Sequence, residues 1–263
     1  MNWRPRLVAL DIDGTLAHLG TNDIAPAVHA AVTRVAAHDV HVVLCTGRSL
    51  IGTTPIADQL GLPGISLCSN GAVWWDHQTR EVLKRTTFSP GPTIKVLREL
   101  LPGAVFAVEQ TGIGNMSLGR FPDGDLWGVL TLGDFDEVAA IDTPRLVMRW
   151  IGHTPEELAF AVRELELPDV AWSVDHTEPW LTAVPLGVTK GSALEELRVH
   201  LNVSPEDTLA VGDGRNDVEM LRWAAHGVAM GQAPATVQAV ADSVTDTVLE
   251  DGLATVLSRF FPA

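Results

Sequence analysis

"RLVALDIDGTLA", residues 6–17, decides how the rest of the chain is read. Four apolar residues, Leu7 to Leu10, run into two carboxylates, Asp11 and Asp13, which are followed by Gly14 and Thr15. A short, continuous apolar run bounded by turn residues reads as a strand buried on both faces, as in a parallel sheet covered by helices. In such sheets ligands bind beyond the carboxyl ends of the strands, which is where the two acids stand. Working outward, "HVVLC" (41–45) reads as a second buried strand ending at Thr46-Gly47-Arg48. "GISLC" (64–68) reads as a third, ending at Ser69-Asn70-Gly71. Between the first two, Val28, Ala31, Val32 and Val35 recur at helical spacing behind the first-turn residue Pro26. A second helical stretch runs to about Leu60.

The pattern changes after Gly71. "AVWWDHQTREVLKRTTF" (72–88) predicts a hairpin, residues 93–101 a helix, and "AVFAVEQ" (104–110) a strand. A glycine-rich stretch to Asp142 follows, in which "GIGNMSLG" (112–119) reads as a loop. "RLVMRWI" (145–151), a helix over 155–165 and "VAWSV" (170–174) complete an antiparallel α+β region with its helices on one side. From Gly187 the first pattern returns, with helices after Lys190 and Asn216 and strands at "TLAVGD" (208–213) and "GVAM" (227–230). Helices near 234–240 and 253–260 close the chain. The expectation is an α/β protein: a parallel-sheet core with helices on both faces, built from residues 1–83 and 187–263, and an α+β domain inserted at 84–186.

Composition narrows the partners. The 263-residue chain is 46% hydrophobic, enough for a packed core, and carries a net charge of −15. That charge argues against nucleic acid, which is held through Lys and Arg, and against an anionic membrane surface. A small anion remains admissible, because a metal ion, a lysine and backbone N–H groups can override the global field locally. Cys45 and Cys68 lie in apolar runs and read as buried free thiols, which fits a reducing cytoplasm. The N-terminal residues show no apolar signal core, and no apolar run reaches the ~18 residues of a membrane span.

The strand ends collect Asp11, Asp13, Thr46, Asn70 and Asp213, with Lys190 opening a helix nearby. Three carboxylates, a hydroxyl, an amide and an ammonium in one crevice suit a divalent cation and a phosphate held together. Asp217 has a lesser alternative as a helix cap, and Arg48 reads as the partner of a core acid before it reads as a substrate contact. The histidines form no zinc-binding spacing. Tryptophans 127, 150, 172 and 180 suit either core packing or stacking on a sugar or base.

These motifs resemble the haloacid dehalogenase superfamily of phosphohydrolases. "DIDGTL" (11–16) is similar to its first motif, Thr46 in "VVLCTGR" to its second, Lys190 in "GVTKGSAL" to its third, and Asp213 with Asp217 in "GDGRNDVEML" to its fourth. An insert between the second and third motifs, with "SNGA" (69–72) and "GVAMGQA" (227–233), resembles the Cof-type, class IIB sugar-phosphatase-like members. The resemblance implies a Rossmann-like core and a cap domain. It implies a Mg²⁺-dependent phosphatase acting on small phosphorylated metabolites, sugar phosphates first. Asp11 would be the nucleophile and Asp13 the proton carrier. Asp11, Asp13 through its carbonyl, Asp213 and Asp217 would serve the metal. Thr46, Gly47, Lys190 and Asn216 would hold the phosphoryl group. Arg48, Asn70 and Glu109 are candidate substrate contacts. A cytoplasmic monomer or homodimer is expected. A phosphomutase of the same cap class, or a ligand-sensing protein retaining the fold, are the alternatives. Ala25 departs from the usual Ser or Thr before the first helix, which touches helix stability and no chemistry.

Overall fold

The computed structural model describes residues 3–262. The first part of the chain forms β1 (Leu7–Leu10), α1 (Pro26–Ala36), β2 (His41–Leu44), α2 (Leu50–Leu60), β3 (Ile65–Cys68), β4 (Val73–Asp76) and β5 (Glu81–Arg85). The middle forms α3 (Gly91–Leu100), β6 (Val105–Gln110), β7 (Gly114–Ser117), β8 (Val129–Leu132), α4 (Phe135–Ala139), β9 (Leu146–Arg149), α5 (Pro155–Ala161), β10 (Val170–Val174) and β11 (Trp180–Pro185). The last part forms α6 (Lys190–His200), β12 (Thr208–Gly212), α7 (Val218–Trp223), β13 (His226–Ala229), α8 (Ala235–Gln238), β14 (Ser243–Val244) and α9 (Gly252–Phe260).

A parallel sheet of order β14-β13-β12-β1-β2 draws on both ends of the chain. Strand β1, flanked by β12 and β2, is wholly buried, and its alternation divides two cores. Val8 and Leu10 pack with α1, α2 and α9 through residues such as Val32, Ile56 and Leu257. Leu7 and Ala9 face α6, α7 and α8 through Leu194, Met220 and Val237. Each fully buried aliphatic side chain contributes roughly 1.5–3 kcal/mol. Helices therefore cover both faces, as the continuous apolar strands predict. Helix α1 begins at Pro26 behind Ala25, whose side chain makes no capping bond. Both cysteines are buried and unpaired, and burial pushes the Cys68 thiol up to about 12.

The third predicted strand behaves differently from expectation. β3 touches the parallel sheet through a single Cys45–Leu67 bridge and pairs antiparallel with the β4–β5 hairpin instead. The inserted region holds a six-stranded sheet, order β10-β11-β9-β6-β7-β8, antiparallel except for the β7–β8 pair. The reading of residues 112–119 as a loop is corrected, since Gly114–Ser117 is strand β7. β8, α4, β11 and β14 also lie where no element was expected. Period-2 alternation divides the cap sheet. Phe106, Val108, Leu146, Met148 and Leu181 pack with residues of α3, α4 and α5, while Ala107, Val147 and Trp180 turn to the opposite face. Among the described residues no helix is long and apolar enough to cross a membrane.

Candidate active site

The site forms where β1, β2 and β12 end together. Asp11 directly follows β1 and is 5% exposed. Its Oδ1 accepts a 2.6 Å hydrogen bond from Lys190 Nζ. Lys190 is the first residue of α6, behind the N-cap Thr189, and is fully buried. The same ammonium donates to Asp217 Oδ1 at 2.5 Å. Asp217 Oδ2 accepts the backbone N–H groups of Asp213 and Gly214 at 2.9 and 2.7 Å. Asp217 thus ties the β12 turn to Lys190, and each of its oxygens already has a donor. Asp213 Oδ2 accepts from Gln232 Nε2 at 3.1 Å, and that amide also donates to the Gly14 carbonyl. Gly14 must be glycine twice over. Its φ is +77°, and a Cβ there would lie 2.3 Å from Asp213 Oδ2.

Oxygens of Asp11, Asp213 and Asp217 lie within 4.8 Å of one another. One ammonium faces three carboxylates, so the cluster carries more negative charge than it can balance. Burial, reinforced by Asp217, pushes Asp11 well above the ordinary carboxylate range despite Lys190. Burial and then Asp217 push Asp213 up to about 7. Burial alone would lower the Lys190 ammonium, but Asp11 and Asp217 outweigh it and hold the group above the ordinary lysine range. All three shifts have one meaning: the cluster favours added positive charge. A hard divalent cation fits that demand and the all-oxygen donor set.

Thr46, fully buried after β2, accepts the Arg48 N–H on its Oγ1 and begins the turn through Gly47. Asn216 Nδ2 donates to Asn70 Oδ1 at 3.0 Å, bridging two strand-end turns. Ser69 and Asn70 hold φ of +52° and +55°, a strained pair of left-handed residues that aims Asn70 at Asn216 and Ser69 at the cap. Arg48 resolves toward the ion-pair reading, with Nε and Nη2 donating to the two oxygens of Asp13 at 2.8 and 2.7 Å. It also lines the cavity.

That cavity, about 380 Å³, opens above Asp11 and Asp13 and runs between core and cap. Gly47, Asn70, Asp213 and Asn216 line its floor, while Trp127, Arg145, Arg149, Glu178 and Trp180 form its cap side. Glu109 is not on the wall. It lies 2% exposed behind Arg145, with Oε2 accepting from Arg145 Nε at 3.1 Å and from Ser69 Oγ at 2.6 Å. Arg145 Nη1 in turn donates to the Gly47 carbonyl at 2.9 Å. Of the four cap tryptophans, Trp127 and Trp180 line the cavity. Trp150 stacks on His153, and Trp172 packs against the cap core. Arg145, Arg149 and Gln232 were not singled out from the sequence. The alternation in "RLVMR" carries a signal for the first two, because residues 145, 147 and 149 share one face of a strand.

A family model for haloacid dehalogenase-like hydrolases matches residues 8–103 and 155–257. The chain belongs to the haloacid dehalogenase-like hydrolases. Curated relatives of this hydrolase are phosphatases, and so is this chain. It is 30% identical to a phosphoglycolate phosphatase of Natronomonas pharaonis, over 96% of each chain. It is 28% identical to the 5-amino-6-(5-phospho-D-ribitylamino)uracil phosphatase YcsE of Bacillus subtilis, over 97% of this chain and 95% of that one. Among solved structures, BT1666 from Bacteroides thetaiotaomicron, a phosphatase of the superfamily, aligns at a TM-score of 0.80 and 26% identity, covering 98% of this chain and 95% of that one. The subclass IIB sugar phosphatase BT4131 shares the fold at a TM-score of 0.81 and 23% identity, with 97% and 98% covered. The hydrolase family model leaves residues 104–154 unmatched. That span holds Glu109, Trp127, Arg145 and Arg149.

Proposed function

We propose that this hydrolase is a Mg²⁺-dependent phosphomonoesterase acting on sugar or polyol monophosphates through an aspartyl-phosphate on Asp11. The observation that carries the reading is the buried Asp11–Lys190–Asp217 chain, with Asp213 beside it, beneath a cavity large enough for a small metabolite. Lys190 holds Asp11 by one oxygen, which leaves the other to attack phosphorus. Residues 84–186 act as the specificity cap.

In the first half-reaction an Asp11 oxygen bonds to phosphorus as the bond to the leaving oxygen breaks, and Asp13 gives that oxygen its proton. In the second, Asp13 takes a proton from water as the water oxygen attacks phosphorus, and the Asp11 carboxylate leaves. Thr46, Gly47, Lys190 and Asn216 hold the phosphoryl oxygens through these changes. A Mg²⁺ held by Asp11, the Asp13 carbonyl and Asp213, with Asp217 outside them, would supply the charge that lets a carboxylate approach a phosphate. One unit-charge repulsion at ~4 Å costs about 4 kcal/mol at an effective dielectric of 20.

The cap wall supports a polyhydroxy leaving group. Trp127 and Trp180 offer aromatic faces, and Arg149 is already neutralised by Asp125 and Glu178 at 3.0 and 2.7 Å. That set suits hydroxyl recognition. A sugar phosphatase and a ribitylaminouracil-phosphate phosphatase among the relatives agree with it. The test is phosphate release from a panel of sugar, polyol, nucleoside and carboxylate-bearing monophosphates, with Mg²⁺ and with excess chelator. Release confined to the Mg²⁺ arm and strongest on polyol phosphates is the expected result. Full activity in chelator refutes the metal role, and preference for carboxylate-bearing substrates refutes the substrate class.

A further inference from the structure

The Arg48 guanidinium has five N–H donors, and all five are used within the core. Nε and one Nη2 hydrogen go to Asp13. The second Nη2 hydrogen goes to the Thr21 carbonyl at 2.6 Å. The Nη1 pair goes to Asn22 Oδ1 at 2.7 Å and to the Gly52 carbonyl at 3.3 Å. The plane of the group is therefore fixed, and its faces alone remain to be covered. The Trp127 ring lies over it, 5.5 Å from its centroid to the guanidinium carbon. The same ring rests on α2 at Gly52, where a Cβ would approach Cδ1 to 3.0 Å and Cγ to 3.1 Å. Trp127 belongs to the cap. Its carbonyl accepts a 3.0 Å hydrogen bond from Asn115, a buried residue of β7. A cap side chain is thus seated on the core residue that grips Asp13.

Asp13 is held unevenly. Oδ1 accepts from Arg48 Nη2 and from the Gly20 N–H at 3.1 Å, which fills both of its lone pairs. Oδ2 accepts from Arg48 Nε alone and keeps one lone pair, on a side chain that is 29% exposed toward the cavity. Arg48 therefore decides which oxygen is available to carry a proton and where it points. A guanidinium–carboxylate fork keeps its geometry best when water is excluded, because water competes for the same donors and screens the charges.

We propose that Trp127 is a positioning residue for proton transfer: carried by the cap, it closes over Arg48, keeps the Arg48–Asp13 fork dry and oriented, and makes Asp13 competent only while the cap is docked. This rests on the reading of Asp13 as proton carrier. It assigns a role to a residue in the span that the family model leaves unmatched. It also gives a physical link between cap position and a chemical step in the core.

Phenyl phosphate and 4-nitrophenyl phosphate test it. They have nearly the same shape, but the phenolate is the far more basic leaving group and needs the proton more. Trp127→Ala should lower kcat/KM for phenyl phosphate about tenfold more than for 4-nitrophenyl phosphate, a part of the 10²–10⁴-fold worth of general acid catalysis. Trp127→Phe, which keeps an aromatic face, should recover most of that difference. Gly52→Ala pushes the ring from the core side and should give a smaller loss of the same selectivity. In an Asp13→Asn background, Trp127→Ala should leave the ratio between the two probes unchanged. Equal losses on both probes, or a selective loss that persists without Asp13, overturns the proposal while leaving the phosphatase reading intact. If Asp13→Asn itself leaves the ratio at its wild-type value, the proton-carrier reading fails and the proposal with it.

Discussion

Metal binding and pH should be coupled through Asp213. In the metal-free fold, burial and Asp217 raise this carboxyl from its ordinary 3.8 to about 7. Below about pH 4 the folded and unfolded chains are both protonated at this group, and it contributes nothing. As pH rises from about 4 to about 7, the unfolded chain releases its proton while the folded chain keeps it. Stability is lost across that window, and above pH 7 the loss is complete. At about 1.4 kcal/mol per unit, the three-unit displacement costs the metal-free protein on the order of 4 kcal/mol. Asp11, raised by the same burial and the same neighbour, adds to the cost in the same direction. A divalent cation binds the ionised carboxylate and must displace the proton, so its apparent affinity rises with pH until about pH 7. In excess Mg²⁺ the added stabilisation should grow by about 1.4 kcal/mol per pH unit, or about 3–6 °C in Tm per unit for a domain of this size. Thermal unfolding with and without Mg²⁺ between about pH 5 and pH 8 reads this directly. A metal-induced shift that is flat from about pH 5 to 7 refutes the reasoning, as does a shift that survives unchanged in Asp213→Asn. That variant should also be the more stable one, without metal, at about pH 8.

The two acids of the opening stretch should fail differently. Intact mass after mixing with 4-nitrophenyl phosphate should show one added phosphoryl group on Asp13→Asn and none on Asp11→Asn, and the reverse pattern refutes their division of labour. Lys190→Met leaves Asp11 and Asp217 buried without their shared ammonium. It should cost about 3–5 kcal/mol in urea unfolding, and more at about pH 8 than at pH 5, because Asp11, already raised by burial, loses the ammonium that favours its ionised form. Glu109→Gln removes the charge that neutralises buried Arg145 and should lower stability by about 3 kcal/mol by the same measurement; a change under ~0.5 kcal/mol would show that the pair is not a structural element. Arg149→Met should spare 4-nitrophenyl phosphate and raise KM for a sugar phosphate by about tenfold, a difference that steady-state kinetics on the two substrates resolves.

The core was legible because its constraints are local and dense. Strands buried on both faces leave uninterrupted apolar runs, as in "LVAL" (7–10) and "HVVL" (41–44), and the polar residue that ends each run lands at the ligand-binding edge of the sheet. Lys190 was legible from the motif it opens, and its role as the bridge between Asp11 and Asp217 emerges from the contacts. β3 was misjudged as a full member of the parallel sheet because periodicity reports burial and not pairing. Its apolar run is equally satisfied by one parallel bridge and an antiparallel hairpin. β7 was missed for a different reason. "GNMS" (114–117) has little β-propensity of its own, and its strand form is imposed by pairing with Ala107 to Gln110 on one side and Val129 to Leu132 on the other.

The cap's contribution to the site shows what periodicity can and cannot supply. The alternation in "RLVMR" puts Arg145, Val147 and Arg149 on one face, but which face meets the cavity depends on how the cap sheet docks on the core. Docking also separates the two arginines by their contacts. Arg149 takes both of its anionic partners, Asp125 and Glu178, from the cap, and lines the cavity. Arg145 is held by Glu109 from the cap and donates to the Gly47 carbonyl in the core, the turn that follows Thr46. Glu109 closes the same circuit through Ser69, whose strained turn carries Asn70 to Asn216. The turns after β2 and β3 and the cap sheet are therefore joined by buried, charge-assisted hydrogen bonds, which are roughly twice as strong as neutral ones. Two arginines on one strand face thus make different contacts: Arg149 lines the cavity among cap carboxylates, and Arg145 ties the cap sheet to the turn that follows Thr46.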